Sequence, residues 1–228
     1  MKKILLFIVF LIFSTNANSH TDHYKKISKI ELEILKDGKT IGFCNYDFIH
    51  SKNTMEVHNN TEFEVEIFGV KVFFISSKAI EKYKNNQLIY FESKTQQNKK
   101  KKYVNLRYQK NTNNFLIEGS SFNGIASAEN VVGNWWNHKI LQSTSQISPL
   151  SGSVKKQVVT FVKKEKINLY GKNYLTHRFK LKSENSNLSD DKKLDFDIWF
   201  EPEKNLILKI SYSRMGNWEY RLKNIITN

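Results

Sequence analysis

The feature that most constrains this chain is an alternation of apolar and polar side chains with period two. It runs, with one break, from Lys29 to Ile225. Ile30, Leu32 and Ile34 alternate with Lys29, Glu31 and Glu33, and Phe63, Val65 and Ile67 alternate with Glu62, Glu64 and Glu66. Successive strand side chains point to opposite faces, so each such stretch is a strand with one buried and one solvated face. Turn chemistry interrupts the pattern at Asp37-Gly38, Ser51 to Asn53, Asn85-Asn86, the lysine run Lys99 to Lys102, Gly171, Glu201 to Asn205 and Met215-Gly216-Asn217. Val70 to Ile75 is expected to continue the strand that ends at Ile67, bent at Gly69. Ser76 to Tyr83 suits a strand better than a helical turn. Val154 to Val162 and Lys166 to Leu169 are expected as two separate strands. The spacing gives about a dozen strands and an all-β, antiparallel protein.

The alternation stops between Glu129 and Leu150. This stretch holds Trp135 and Trp136, two of the four tryptophans, and Pro149, one of the two prolines. Trp135, Trp136, Asn137 and His138 are the candidate ligand-binding cluster. Adjacent indoles on irregular backbone can form a stacking platform for a sugar or line an apolar cleft. The competing reading is that one tryptophan plugs the end of the β-structure.

The N-terminus reads as an export signal over residues 1–19, leaving one β-rich domain over residues 20–228. Lys2 and Lys3 precede the apolar run Ile4 to Phe13, which is shorter than the roughly 20 residues a spanning helix needs. Ala17-Asn18-Ser19 and Thr15-Asn16-Ala17 both fit the small-x-small cleavage rule. The expected location is the periplasm or outside the cell, with no transmembrane span in the mature chain. Removing Lys2 and Lys3 leaves 34 of the 36 basic side chains against 22 acidic ones, a net charge of +12. The only arginines are Arg107, Arg178, Arg214 and Arg221, so the charge is diffuse lysine charge, a poor match for specific nucleic-acid recognition. Cys44, the single cysteine, has no internal disulfide partner and lies in an apolar strand, as a buried thiol does.

Chemistry is sparsely marked. No zinc-ligand spacing, HExxH, phosphate-binding glycine loop or GxSxG occurs, and no cofactor is expected. Asp195 and Asp197 share a strand face opposite Phe196, Ile198 and Phe200, which reads as a solvent face. His177 is a lone strand histidine. His20 and His23 are candidate metal ligands. Cleavage after Ala17 places His20 third from a free amine, a square-planar set for Cu(II) or Ni(II); cleavage after Ser19 makes His20 the terminus, with His23 assisting.

Three motifs resemble a family of exported bacterial proteins known only as a domain of unknown function. They are Asp37-Gly38-Lys39-x-Ile41-Gly42, then Trp136-Asn137-x-x-Ile140-Leu141, then Asp197-x-Trp199-Phe200-x-Pro202. The family has proline where His138 stands. The resemblance implies a periplasmic setting and no known activity. By analogy it also implies the curled half-barrel of LolA-type carriers. The expected fold is then one long, curled antiparallel sheet, a half-barrel or open barrel, with a short irregular or helical interruption near 129–150.

Two functions follow as expectations. The first is a non-catalytic envelope or apolar-ligand-binding protein, whose partner is a lipid, an apolar peptide or an anionic envelope polymer. The alternative is a polysaccharide-acting enzyme with Trp135 or Trp136 as sugar platform and Asp195 or Asp197 as acid.

Overall fold

The computed structural model describes residues 22–189 and 192–228. The export signal expected over residues 1–19 and the candidate ligand His20 lie outside the described residues. After a 3₁₀ turn at Asp22–Tyr24 come eight consecutive strands: β1 (Ile27–Lys36), β2 (Lys39–Ser51), β3 (Thr54–Ile67), β4 (Val70–Lys84), β5 (Gln87–Gln97), β6 (Lys100–Gln109), β7 (Asn114–Gly119) and β8 (Phe122–Ser127). The interruption follows, with β9 (Val131–Val132), a 3₁₀ turn at His138–Leu141 and β10 (Ser145–Ile147). The chain ends with β11 (Val154–Leu169), β12 (Lys172–Ser183), β13 (Asp195–Glu201), β14 (Leu206–Ser213) and β15 (Asn217–Thr227).

All fifteen strands belong to one sheet, in the order β8-β7-β6-β5-β4-β3-β2-β1-β15-β14-β13-β12-β11-β10-β9. The last strand pairs with the first, Lys36 opposite Trp218, so the two halves of the chain fan out from the β1–β15 pair. Neighbours are antiparallel except β9 and β10. The edge strands, β8 and β9, follow one another in the chain but share no ladder, so the sheet is not closed into a barrel. An open sheet much beyond ten strands must curl to bury one face. Here the loop after β10 bridges the seam, with Ser121 N donating to Ser151 O at 3.0 Å.

Three expectations about strands are corrected. Gly69 is not a bend within one strand. With Phe68 it forms a tight turn, both residues at positive φ, and Ile67 and Val70 pair across it. β11 is continuous where two strands were expected; a bulge between Phe161 and Lys163 shifts the phase at Val162 and hides the continuity. β8 lies where no strand was expected, because Phe122-Asn123-Gly124-Ile125-Ala126-Ser127 has too few large apolar residues to show alternation.

The inner face carries the core. One cluster gathers Ile30, Leu32 and Ile34 of β1 with Val57, Phe91, Leu106, Phe115 and Ile117 from the N-terminal half. A second gathers Ile140, Leu181, Leu194, Ile198, Ile207 and Ile210 from the C-terminal half. Trp135 packs against both. Cys44 is a buried free thiol, taking hydrogen bonds from Thr61 Oγ1 at 3.1 Å and Asn59 Nδ2 at 3.4 Å.

Antiparallel register assigns each turn to one of two ends. The tips at 37–38, 68–69, 98–99 and 215–216 share what we call the upper end. Tyr24, the turns at 52–53 and 85–86, and the β13–β14 turn lie at the lower end.

Candidate functional site: a plugged end and an aromatic row

The interruption turns inward and fills the lower end of the curl. Its shape is set locally. Gly133 N donates to Ile147 O at 2.9 Å, and a Cβ on Gly133 would displace Gln146 Oε1 from its place beside it, in a side chain whose Nε2 donates to Gln157 Oε1 at 2.6 Å. Asn134 Oδ1 accepts from Asn137 N at 3.2 Å, and Asn137 Oδ1 caps the next turn by accepting from Lys139 N at 3.1 Å. Buried Gln157 on β11 ties the segment down, donating to Ile140 O and Ser143 O, both at 2.9 Å.

Trp136 is 1% exposed and is the plug itself. Its ring meets Tyr24, Phe48 and Tyr83 edge-on, with centroids 5.0, 5.4 and 5.8 Å away. Its indole Nε1 donates to Glu81 Oε1 at 3.0 Å. Glu81, fully buried on β4, also accepts from Asn134 Nδ2 and Tyr83 OH, each at 2.6 Å. Three donors and no buried cation make a site for a carboxylate that burial disfavours. Burial accordingly pushes Glu81 up to about 7, against the pull of its three hydrogen bonds.

His138 is also buried. Tyr24 OH donates to Trp136 O at 2.6 Å and lies 3.1 Å from His138 Nδ1. With the phenol proton on the carbonyl, Nδ1–H donates to the phenol oxygen. Burial, and then the neighbouring His23 and Lys139, lower the imidazole to about 4, so it is neutral at ordinary pH. His23, its ring 5.7 Å from that of His138, also meets Asn205 Nδ2 at 3.3 Å. Among the described residues no group of three or more His, Cys, Asp or Glu could hold a metal ion.

Trp135 differs from its neighbour. It is half-buried, and its backbone N donates to Tyr46 OH at 3.2 Å. Its ring starts a row of contacting aromatics on the inner face: Trp135 to Phe196 at 5.1 Å, Phe196 to Tyr212 at 5.4 Å, Tyr212 to Trp218 at 5.7 Å, Trp218 to Phe63 at 5.7 Å and Phe63 to Phe73 at 5.9 Å. The row climbs from the plug to the upper end. Trp135, Phe196, Tyr212 and Phe73 keep part of their surface in water. A polar groove of about 250 Å³ is lined by Lys180, Asp197, Ser211 and Glu219, which share the face opposite Phe196, with Asp195, Tyr212 and Trp218 also on its wall.

The structure brings together Trp136, Asn137 and His138 as a buried knot, with Trp135 at its margin. It does not bring the tryptophans and the carboxylates together. Phe196, which Trp135 touches, points away from Asp195 and Asp197 on the same strand. Asp197 accepts from Arg178 Nε at 2.9 Å and Lys180 Nζ at 3.0 Å, and these partners hold it below the usual carboxylate range despite its burial. An acid so paired stays ionised and has no proton to give. His177 packs edge-on against Phe161, 5.8 Å away. Glu81, Tyr24 and Gln157 were not singled out in the sequence. For Glu81 the signal is its phase, since it shares a strand face with buried Ala79 and Tyr83.

An open, curled, β-barrel-like sheet with an internal plug defines the class. Within that class, the chain belongs to a family described as a domain of unknown function, DUF6134, which matches residues 32–223. No curated protein matches. The chain is similar in fold to a crystal structure from Brucella abortus described as a beta-barrel-like protein of domain of unknown function DUF1849. The TM-score is 0.60 at 7% identity, covering 89% of this chain and 98% of that one. A putative exported protein with a YmcC-like fold from Bacteroides fragilis also matches, with a TM-score of 0.36 at 12% identity over 87% and 94% of the two chains.

Proposed function

We propose that this is a non-catalytic, exported envelope protein that binds an apolar ligand, a lipid chain or an apolar peptide, along the aromatic row. The observation that carries this is the row itself, six rings in unbroken contact with four of them partly solvated. Core aromatics have no need of a continuous wet strip. Such a strip suits a long apolar ligand, since it offers ring faces and edges without polar groups to satisfy. The basic exterior suits an anionic envelope polymer as a further partner.

The test is native mass spectrometry of the mature protein purified from its own envelope. A co-purified apolar molecule, lost from a Trp135→Ala variant that still unfolds cooperatively, is the expected result. A bare polypeptide mass, or a bound sugar, would overturn the reading.

A further inference from the structure

Among the described residues, nine non-glycine positions hold positive φ. Six are Asp37, Asn85, Asn86, Asn98, Asn113 and Asn205, whose short polar side chains tolerate left-handed backbone. The other three are Phe68, Tyr170 and Met215, each followed by a glycine at a hairpin tip. Tyr170 has a packing reason, because its hydroxyl donates to Glu33. Phe68 and Met215 have none. They are 101% and 93% exposed. A bulky apolar side chain there is opposed twice, by the backbone and by water. Both tips lie at the upper end, on either side of the Asp37-Gly38 turn.

The Phe68 tip also stands clear of the sheet. β3 pairs with β2 no further than Phe63–Gly42, and β4 with β5 no further than Ile75–Gln97, yet β3 and β4 stay paired to Ile67–Val70. Residues 64–74 therefore form a two-stranded finger about 13 Å long at ~3.4 Å per residue. Ile67, Val70 and Val72 are exposed on it. At its base, Asn98 N donates to Phe74 O at 3.0 Å, which seats the β5–β6 tip and Lys99 to Lys102 against the finger. Lys99, Lys100 and Lys101 are exposed and make no ion pair among the described residues, as does Lys39 on the neighbouring tip. Against them stand Glu62 and Glu66, while Glu64 is taken by Lys71.

We propose that the upper end docks on an anionic lipid surface, with Phe68 and Met215 entering the interface and the β5–β6 lysines meeting phosphate headgroups. Two apolar tips on separate hairpins, rimmed by flexible point charges, need a fluid surface rather than a shaped one. Lysine offers diffuse attraction where arginine would offer fixed recognition. The proposal holds whether or not the aromatic row takes a ligand, and its test is separate from the search for one.

The mature protein is sedimented with vesicles of phosphatidylglycerol and phosphatidylcholine, and with vesicles of phosphatidylcholine alone. Binding to the anionic vesicles only, weakened by salt, is expected. Phe68→Asn places the favoured Asn-Gly pair in this turn, so the variant folds at least as well as the parent, and its partitioning should fall about fivefold or more. Lys100→Gln with Lys101→Gln should lower partitioning and flatten the salt dependence. If the parent protein stays in the supernatant, or Phe68→Asn binds as the parent does, the proposal is overturned.

Discussion

The two ends of the curl are built on opposite rules. The lower end is shut by irregular backbone and held by polar groups inside the protein: Glu81 with its three donors, Tyr24 on Trp136 O, and Gln157 on two plug carbonyls. The upper end has regular hairpins and a largely apolar row, in which Trp218 Nε1 donates to the backbone oxygen of Arg214, and it carries the exposed tip residues Phe68 and Met215. The difference separates stability from binding. A tryptophan with its indole N–H consumed by a buried carboxylate is committed to the fold, whereas a tryptophan that begins a half-wet row keeps a face to offer. The adjacent residues Trp135 and Trp136 fall on the two sides of this divide.

The sharpest way to break the contrast is at the plug. Trp136→Ala should lower unfolding stability by about 3–5 kcal/mol, as for other buried aromatics, measured by denaturant titration. A loss no greater than that of Trp135→Ala, expected at about 1 kcal/mol, would mean that the plug is not a plug.

The next largest effects are in pH dependence, where two buried groups oppose each other. Glu81 has its folded pKa raised from 4.5 to about 7, so its contribution is fully present below pH 4.5 and is lost as pH rises through 7. His138 has its folded pKa lowered from 6.5 to about 4, so its contribution is present above pH 6.5 and is lost as pH falls through 4. Between them the parent profile is nearly level. Glu81→Gln should leave stability rising with pH from 4 to 6.5, by about 2 kcal/mol after discounting for the partial exposure of His138. His138→Asn should leave it falling from pH 4.5 to 7, by about 3 kcal/mol. Parallel profiles for both variants and the parent would remove the Glu81 lock.

The smallest effect is at the other end. Phe68→Asn relieves a left-handed phenylalanine and removes no contact, so stability should rise by about 0.5 kcal/mol. A measurable loss would show that the finger packs on something in the folded chain.

Most of the sheet was legible in the sequence, because period two and turn dipeptides are local signals. Asp37-Gly38 and Asn85-Asn86 mark turns by side-chain chemistry alone. Phe68-Gly69 did not, since its first residue is the wrong type for its backbone, and that mismatch is what makes the tip informative. β11 was split because a bulge shifts phase without leaving a residue-type mark. The candidate site was half legible. The break and its tryptophans could be found, but the difference between Trp135 and Trp136 depends on Glu81, 55 residues away along the chain. The aromatic row was not visible at all. It joins the neighbouring strands β13, β14 and β15 to the neighbouring pair β3 and β4 across β1 and β2, and only the folded sheet brings those rings into contact.

The most direct test of the division between the two ends is fluorescence quenching by a long-chain fatty acid brominated on its tail, since bromine quenches indoles it touches. It is titrated into the parent protein and into the Trp135→Phe and Trp136→Phe variants. The expected result is saturable quenching in the parent, retained in Trp136→Phe and reduced in Trp135→Phe to the share carried by Trp218, the other indole of the row. Quenching that survives in Trp135→Phe and disappears in Trp136→Phe would contradict the division, because the ligand would then be entering the end described here as sealed.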